Sequence, residues 1–151
     1  KMDVLRYIFQ DTKRQYQDFC RKNLVDNGGD FWKMVDDMFH QVLHREYSGQ
    51  LARLFQNVIS YTEAEKFMMM LRDSCEDGQN MDEWLYERVD KSNMRVKSLE
   101  EFRVLIEMCM MSILIAFAQR YKNGEAIETV EWSFPRKMDI LKNGALVHKE
   151  S

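Results

Sequence analysis

One proline and six glycines in 151 residues leave few points at which a helix is forced to stop, so the chain reads as mostly helical. Cysteine is scarce too. Cys20, Cys75 and Cys109 are odd in number, far apart, and in no pattern that a disulfide framework or zinc finger needs, which favours a reducing, intracellular compartment. Charge of one sign is missing: 22 basic residues face 25 acidic ones, so no broad basic face awaits a phosphate backbone, and nucleic acid is not expected as a partner. No charged-then-apolar leader opens the sequence and no apolar tail ends it, although the first residue, Lys1, fits a trimmed chain. A membrane role would therefore rest on an anchor removed from this stretch, and the cytoplasm is the expected location.

Motifs that carry chemistry are missing as well. There is no phosphate-binding loop, no nucleophile elbow and no dinucleotide fingerprint. His40-Gln41-Val42-Leu43-His44 puts two imidazoles one helical turn apart, as zinc proteases do, but Gln41 stands where the catalytic Glu belongs. The sequence shows no third ligand, so no metal is expected. Asp73 to Trp84 imitates a calcium loop at Asp73, Asp77 and Gly78, yet its third place is Cys75 and its twelfth is Trp84, where a bidentate Glu is required. That segment reads as an acidic turn. Cys109 falls inside an apolar run, where a thiol is inert packing. The reading is a non-enzymatic protein without a cofactor.

What is present is led by Phe102 to Tyr121, FRVLIEMCMMSILIAFAQRY, in which only Ser112 interrupts the hydrophobic residues between Met108 and Ala118. At a helical period no face of this run is left for water, so other helices must wrap it. It is too short to span a bilayer, and Arg103 and Glu107 sit in its first turns. Ser98-Leu99-Glu100-Glu101 has capping-box form and Asn123-Gly124 supplies a left-handed stop, so the central helix covers about residues 99–122.

Around it the sequence places several amphipathic helices. Val4, Leu5, Ile8, Phe9, Tyr16, Phe19 and Leu24 form one long stripe that ends at Asn27-Gly28-Gly29. Asp30 caps a second helix, Phe31 to Glu46, and shorter ones follow over Gln50–Ser60, Glu63–Ser74 and Asp82–Asp90. Lys91 to Lys97 reads as a mobile loop. Glu125 to Phe134 mixes helical and strand periods, and Pro135 is expected to end it. The expected fold is all-α: a single-domain helical bundle over residues 1–151 around one central apolar helix.

Twelve methionines, among them Met68 to Met70 and Met108, Met110 and Met111, suit either a soft core or a cleft that repacks around helical ligands. The candidate cleft is walled by Phe39, Val42, Phe55, Val58, Phe67, Met70 and Leu71.

The order of helices, with Val4-Leu5-Arg6-Tyr7-Ile8 in the first and Phe102 to Tyr121 at the centre, resembles the Bcl-2 fold. Leu24-Val25-Asp26-Asn27-Gly28-Gly29-Asp30-Phe31 is similar to that family's death motif, with Gly29 in place of its Asp. Asp77-Gly78-Gln79-Asn80-Met81 is similar to its Asp-Gly-x-Asn-Trp-Gly-Arg turn, with Met81, Asp82 and Glu83 standing for Trp, Gly and Arg. Such degenerate motifs, together with Thr62-Glu63-Ala64-Glu65-Lys66 and Glu100-Glu101-Phe102, resemble the virus-encoded, poxviral-type members. The resemblance implies an inhibitor of host apoptosis or innate immune signalling of NF-κB type, placed in the cytoplasm or at mitochondria. It would bind an amphipathic death-motif helix in the cleft, or a signalling adaptor or second copy of itself through an outer face. Without the usual arginine, capture of death-motif peptides should be weak or selective. Phe31 to Leu43 and Phe102 to Met108 also resemble helices of BART-like modules, which implies the alternative of a small Arf-like GTPase as partner.

Overall fold

The computed structural model describes residues 2–46 and 80–145, and these form five α-helices and no strand. They are α1 (Met2–Asp26), α2 (Phe31–Leu43), α3 (Met81–Arg88), α4 (Leu99–Tyr121) and α5 (Ile127–Asn143), with one 3-10 turn at Lys91–Asn93. An all-α helical bundle is thus the fold class, as composition and periodicity indicate. The helices expected at Gln50–Ser60 and Glu63–Ser74 lie outside the described residues, as does most of the acidic turn from Asp73.

Short side chains start the helices where the sequence puts them. Asp30 accepts the Lys33 amide at 3.1 Å, Asn80 the Asp82 amide at 2.8 Å, and Ser98 the Glu101 amide at 3.2 Å, each filling a donor that the first turn leaves open. Glu101 reaches back to the Lys97 amide at 2.8 Å, which closes the box at the head of α4. Between α1 and α2, Gly29 has φ +86° and its amide returns to the Leu24 carbonyl at 3.0 Å. A Cβ on Gly29 would stand 3.0 Å from the Arg88 carbonyl oxygen, and the Gly29 carbonyl accepts the Asp90 amide at 2.8 Å. The α1–α2 corner is therefore pressed onto the end of α3.

α4 is the helix on which the others converge, packing against α2, α3 and α5, while α1 lies on α2 and α3. Its buried residues, Phe102, Ile106, Cys109, Met110, Ile113, Leu114, Ala116 and Phe117, form two adjoining stripes. Not every side is covered, as the uninterrupted hydrophobic run had implied: Val104 is 59% exposed and Met108 47%. α2 supplies the densest opposing face, with Phe31, Met34, Val35, Met38, Phe39, Val42 and Leu43 all buried. Phe39 stacks on Phe134 of α5 with ring centroids 3.8 Å apart, and Phe31 meets Phe102 edge-on at 5.5 Å. Where α1 crosses α2, the buried amide of Asn23 accepts from Gln41 Nε2 at 2.7 Å and donates to the Phe19 carbonyl at 2.8 Å, so burial leaves neither end unpaired.

Several stretches differ from expectation, the short helix α3 by one or two residues at each end and three others more clearly. α2 stops at Leu43 instead of Glu46, because Arg45 turns left-handed at φ +56° and lays its guanidinium 3.8 Å from the Tyr121 ring centre, while the Tyr121 hydroxyl donates to the Leu43 carbonyl. α5 is helix throughout and carries Pro135 in its interior. Val130 and Phe134 bury before the proline, and Met138 and Leu141 pack on the core after it, so one continuous apolar stripe outweighs the missing amide. The stretch expected to be a mobile loop is tied at two points: Trp32 Nε1 donates to the Asn93 carbonyl at 3.1 Å, and Arg95 donates to the Asn143 carbonyl.

Candidate functional site

Tyr16 and Cys20 lie one turn apart on α1 and are both buried in the bundle, near enough to Asp82 at the head of α3 to feel its charge. All of the tyrosine but 3% is hidden, and the cysteine completely. Asp82, the second residue of α3, is 1% exposed, and the first turn of a helix is a place that favours a carboxylate. Arg103 of α4 approaches it with Nε at 3.7 Å from Asp82 Oδ2, and extends Nη2 to Glu83 Oε1 at 3.4 Å. Trp84 covers the outer side, with the guanidinium of Arg21 at 5.5 Å and that of Arg88 at 4.2 Å from its ring.

This is a buried polar cluster in which a neutral hydroxyl and a neutral thiol lie among the charges of Asp82, Arg103 and Arg21. Burial pushes the Cys20 thiol up to about 12; the hydrogen bond from Tyr16 and the charge of Arg21 oppose that rise, and the charge of Asp82 adds to it. Burial likewise pushes the Tyr16 hydroxyl well above its ordinary range, with Cys20 and then Asp82 adding. Both are neutral at physiological pH, so the thiol is no nucleophile. The Tyr16 hydroxyl sits against Cys20, and neither it nor Gln17 Nε2 has a partner of ordinary hydrogen-bond geometry among the described residues. A neutral hydroxyl, an amide and a carboxylate–guanidinium pair are thus gathered at one buried place.

A concavity of about 330 Å³ lies elsewhere, a shallow polar hollow lined by Asn27, Asp30, Trp32, Lys33, Asp36, Asp37 and Lys142. The candidate cleft walls fare differently. Phe39 and Val42 are each 1% exposed and belong to the packed core, whereas Phe55, Val58, Phe67, Met70 and Leu71 lie outside the described residues. Cys109 is buried in α4 with its thiol pushed up to about 12, as an inert core position.

Sequence reasoning missed the cluster because its members are scattered. Tyr16 counted as one apolar position in a stripe and Asp82 as the start of a short helix. Arg103, a charge in the first turns of an otherwise apolar helix, was the one available signal: a cation there needs a buried or nearby anion.

The family described as tetracyclin repressor-like, C-terminal domain, matches residues 30–145, from the cap of α2 to just beyond α5. No curated protein and no solved structure gives a match. The family match overturns the Bcl-2-like resemblance and, with it, the expected viral inhibitor of apoptosis or immune signalling, its death-motif or adaptor partners, and the Arf-like GTPase alternative. The reason is visible in the fold. The death-motif-like residues Leu24 to Phe31 are the end of α1, a glycine corner and the cap of α2, punctuation that any helical pair can share. A central apolar helix wrapped by amphipathic ones is likewise an architecture common to unrelated families. Among the described residues no helix is long and apolar enough to cross a membrane. With well over half of its length matched, the chain belongs to the tetracyclin repressor-like C-terminal domain family.

Proposed function

We propose that the chain is the regulatory domain of a transcription regulator, a non-enzymatic cytoplasmic unit that senses a small molecule and pairs with a second copy of itself. The observation that carries this reading is the family match across α2 to α5. DNA contact would belong to a separate domain of such a regulator, in keeping with the near balance of 22 basic and 25 acidic residues.

The Tyr16–Cys20–Asp82–Arg103 cluster supports a ligand site at the α1–α3–α4 junction. α1 precedes the matched region and rests on α2 and α3, so a molecule that binds better when α1 is displaced would shift α1 by mass action. The pairing surface is supported by exposed apolar side chains on the last two helices, Val104 and Met108 on α4 and Trp132 and Ile140 on α5. Residues 1–151 would act as one folding unit.

The test joins light scattering with a thermal-shift screen of small molecules. A dimer is expected, together with at least one compound class that raises the melting temperature of the native chain and loses that effect in Tyr16→Phe or Asp82→Asn. A monomer at tens of micromolar whose melting no compound moves would overturn the reading.

A further inference from the structure

The histidine pair of α2 gains from the fold what the sequence did not offer, a third ligand. His40 and His44 occupy successive turns with their rings nearly parallel, 10° apart in plane and 6.2 Å between centres. α5 brings Glu131 to the same place, with Oε1 at 3.4 Å from His44 Nε2. One ligand atom from each of the three lies within 4.8 Å of the other two. Two ligands held at about 2.1 Å from a tetrahedral zinc ion stand about 3.4 Å apart, so the His44–Glu131 edge already has the length a zinc site requires.

We propose that His40, His44 and Glu131 bind one divalent late first-row metal ion, with zinc as the natural probe and water completing its shell. Two imidazoles and one carboxylate favour such an ion over calcium or magnesium, which take oxygen ligands. All three side chains are partly exposed, at 48%, 42% and 40%, so an ion can enter without the core opening. The frame around them is fixed. Phe39, next to His40, stacks on Phe134, three residues beyond Glu131, and Tyr121 holds the Leu43 carbonyl just before His44. Asp36 lies one turn below His40, its Oδ1 at 3.6 Å from Nε2, where a carboxylate can orient the ring as an outer partner. The ion would clamp α2 to α5 at the solvent-exposed edge of their contact, beside the Phe39–Phe134 stack, and the assignment stands independently of any regulatory role.

Calorimetric titration of the metal-free chain with zinc, and absorption spectroscopy with cobalt, test this directly. One ion per chain is expected, with an intense visible band of tetrahedral cobalt and a rise in melting temperature that a chelator reverses. His44→Ala and Glu131→Gln should each weaken zinc binding at least about a hundredfold, since even outer-shell partners are worth ten- to a hundredfold. Circular dichroism of these surface variants should match the parent and so separates lost ligation from lost folding. Zinc binding that both variants leave unchanged, cobalt that stays weakly absorbing and octahedral, or no binding at all would each overturn the assignment.

Discussion

The Asp82 carboxylate lies 3.7 Å from Nε of Arg103 although its own side chain is only 2% exposed, so a charge of α3 is kept inside the bundle by a charge of α4. Removing one member of a buried pair leaves the other uncompensated, which costs about 3 to 5 kcal/mol when both are dry. Arg103 is 32% exposed and water reaches it, so Arg103→Met should cost less, about 2 to 3 kcal/mol. Asp82→Asn keeps the shape and leaves Arg103 free to reach Glu83 and solvent, and should cost about 1 kcal/mol. Urea denaturation of both variants checks the order; a larger loss for Asp82→Asn would show that the aspartate has a weightier partner than Arg103.

The two buried thiols should weaken the fold in alkali. Cys20 and Cys109 are each pushed from 9.0 up to about 12 by burial, so the folded state holds protons that the unfolded state releases above about pH 9. This stabilisation is complete below pH 9 and is lost as pH rises toward 12, at up to about 1.4 kcal/mol per pH unit for each thiol. Tyr16, shifted in the same direction, adds to the loss. Thermal unfolding should therefore steepen with pH from 9 upward, and Cys20→Ser with Cys109→Ala should flatten it. At pH 8, mass-spectrometric mapping of alkylation should find both thiols unmodified until the chain unfolds.

How far the sequence reaches can be judged from particular residues. Ser98, Asp30 and Asn123-Gly124 announce helix ends because capping is local, settled within three or four residues, and the structure puts caps or left-handed turns at those places. Pro135 misleads for the opposite reason: its local penalty is real, but Val130, Phe134, Met138 and Leu141 share one stripe whose burial is visible only once α5 meets the core. The same distance hides the sites. Glu131 is 87 residues from His44 by number, and Arg103 is 83 from Cys20, separations that no spacing rule covers. The family was illegible because the quoted likeness rested on turn residues and on helix order, which many helical proteins share.

Gly28 and Gly29 both have positive φ, at +61° and +86°, but they should respond differently to alanine. A Cβ on Gly28 meets nothing within 4 Å, so Gly28→Ala should cost only the left-handed penalty of about 1 kcal/mol. On Gly29 the Cβ would also press to 3.0 Å from the Arg88 carbonyl oxygen, which is backbone and cannot swing away. Gly29→Ala should cost about 2 to 3 kcal/mol and loosen the α1–α2 corner from α3. Hydrogen exchange at the Asp90 amide, which donates to the Gly29 carbonyl, should accelerate in that variant and not in Gly28→Ala.

Pro135 gives a prediction of the opposite sign. It is the ninth residue of α5, it has no amide for the Glu131 carbonyl, and its ring crowds that carbonyl. The residue itself faces solvent, so alanine there would lose little packing and would restore the helical hydrogen bond. Proline in a helix interior costs about 3 kcal/mol relative to alanine, while the extra freedom of the unfolded chain on removing it returns about 1 kcal/mol against the gain. Pro135→Ala should therefore raise stability by about 2 kcal/mol, read as a higher melting temperature and higher helicity by circular dichroism. A lower melting temperature would mean that the backbone geometry Pro135 imposes is what lets Phe134 stack on Phe39 while Met138 and Leu141 still reach the core.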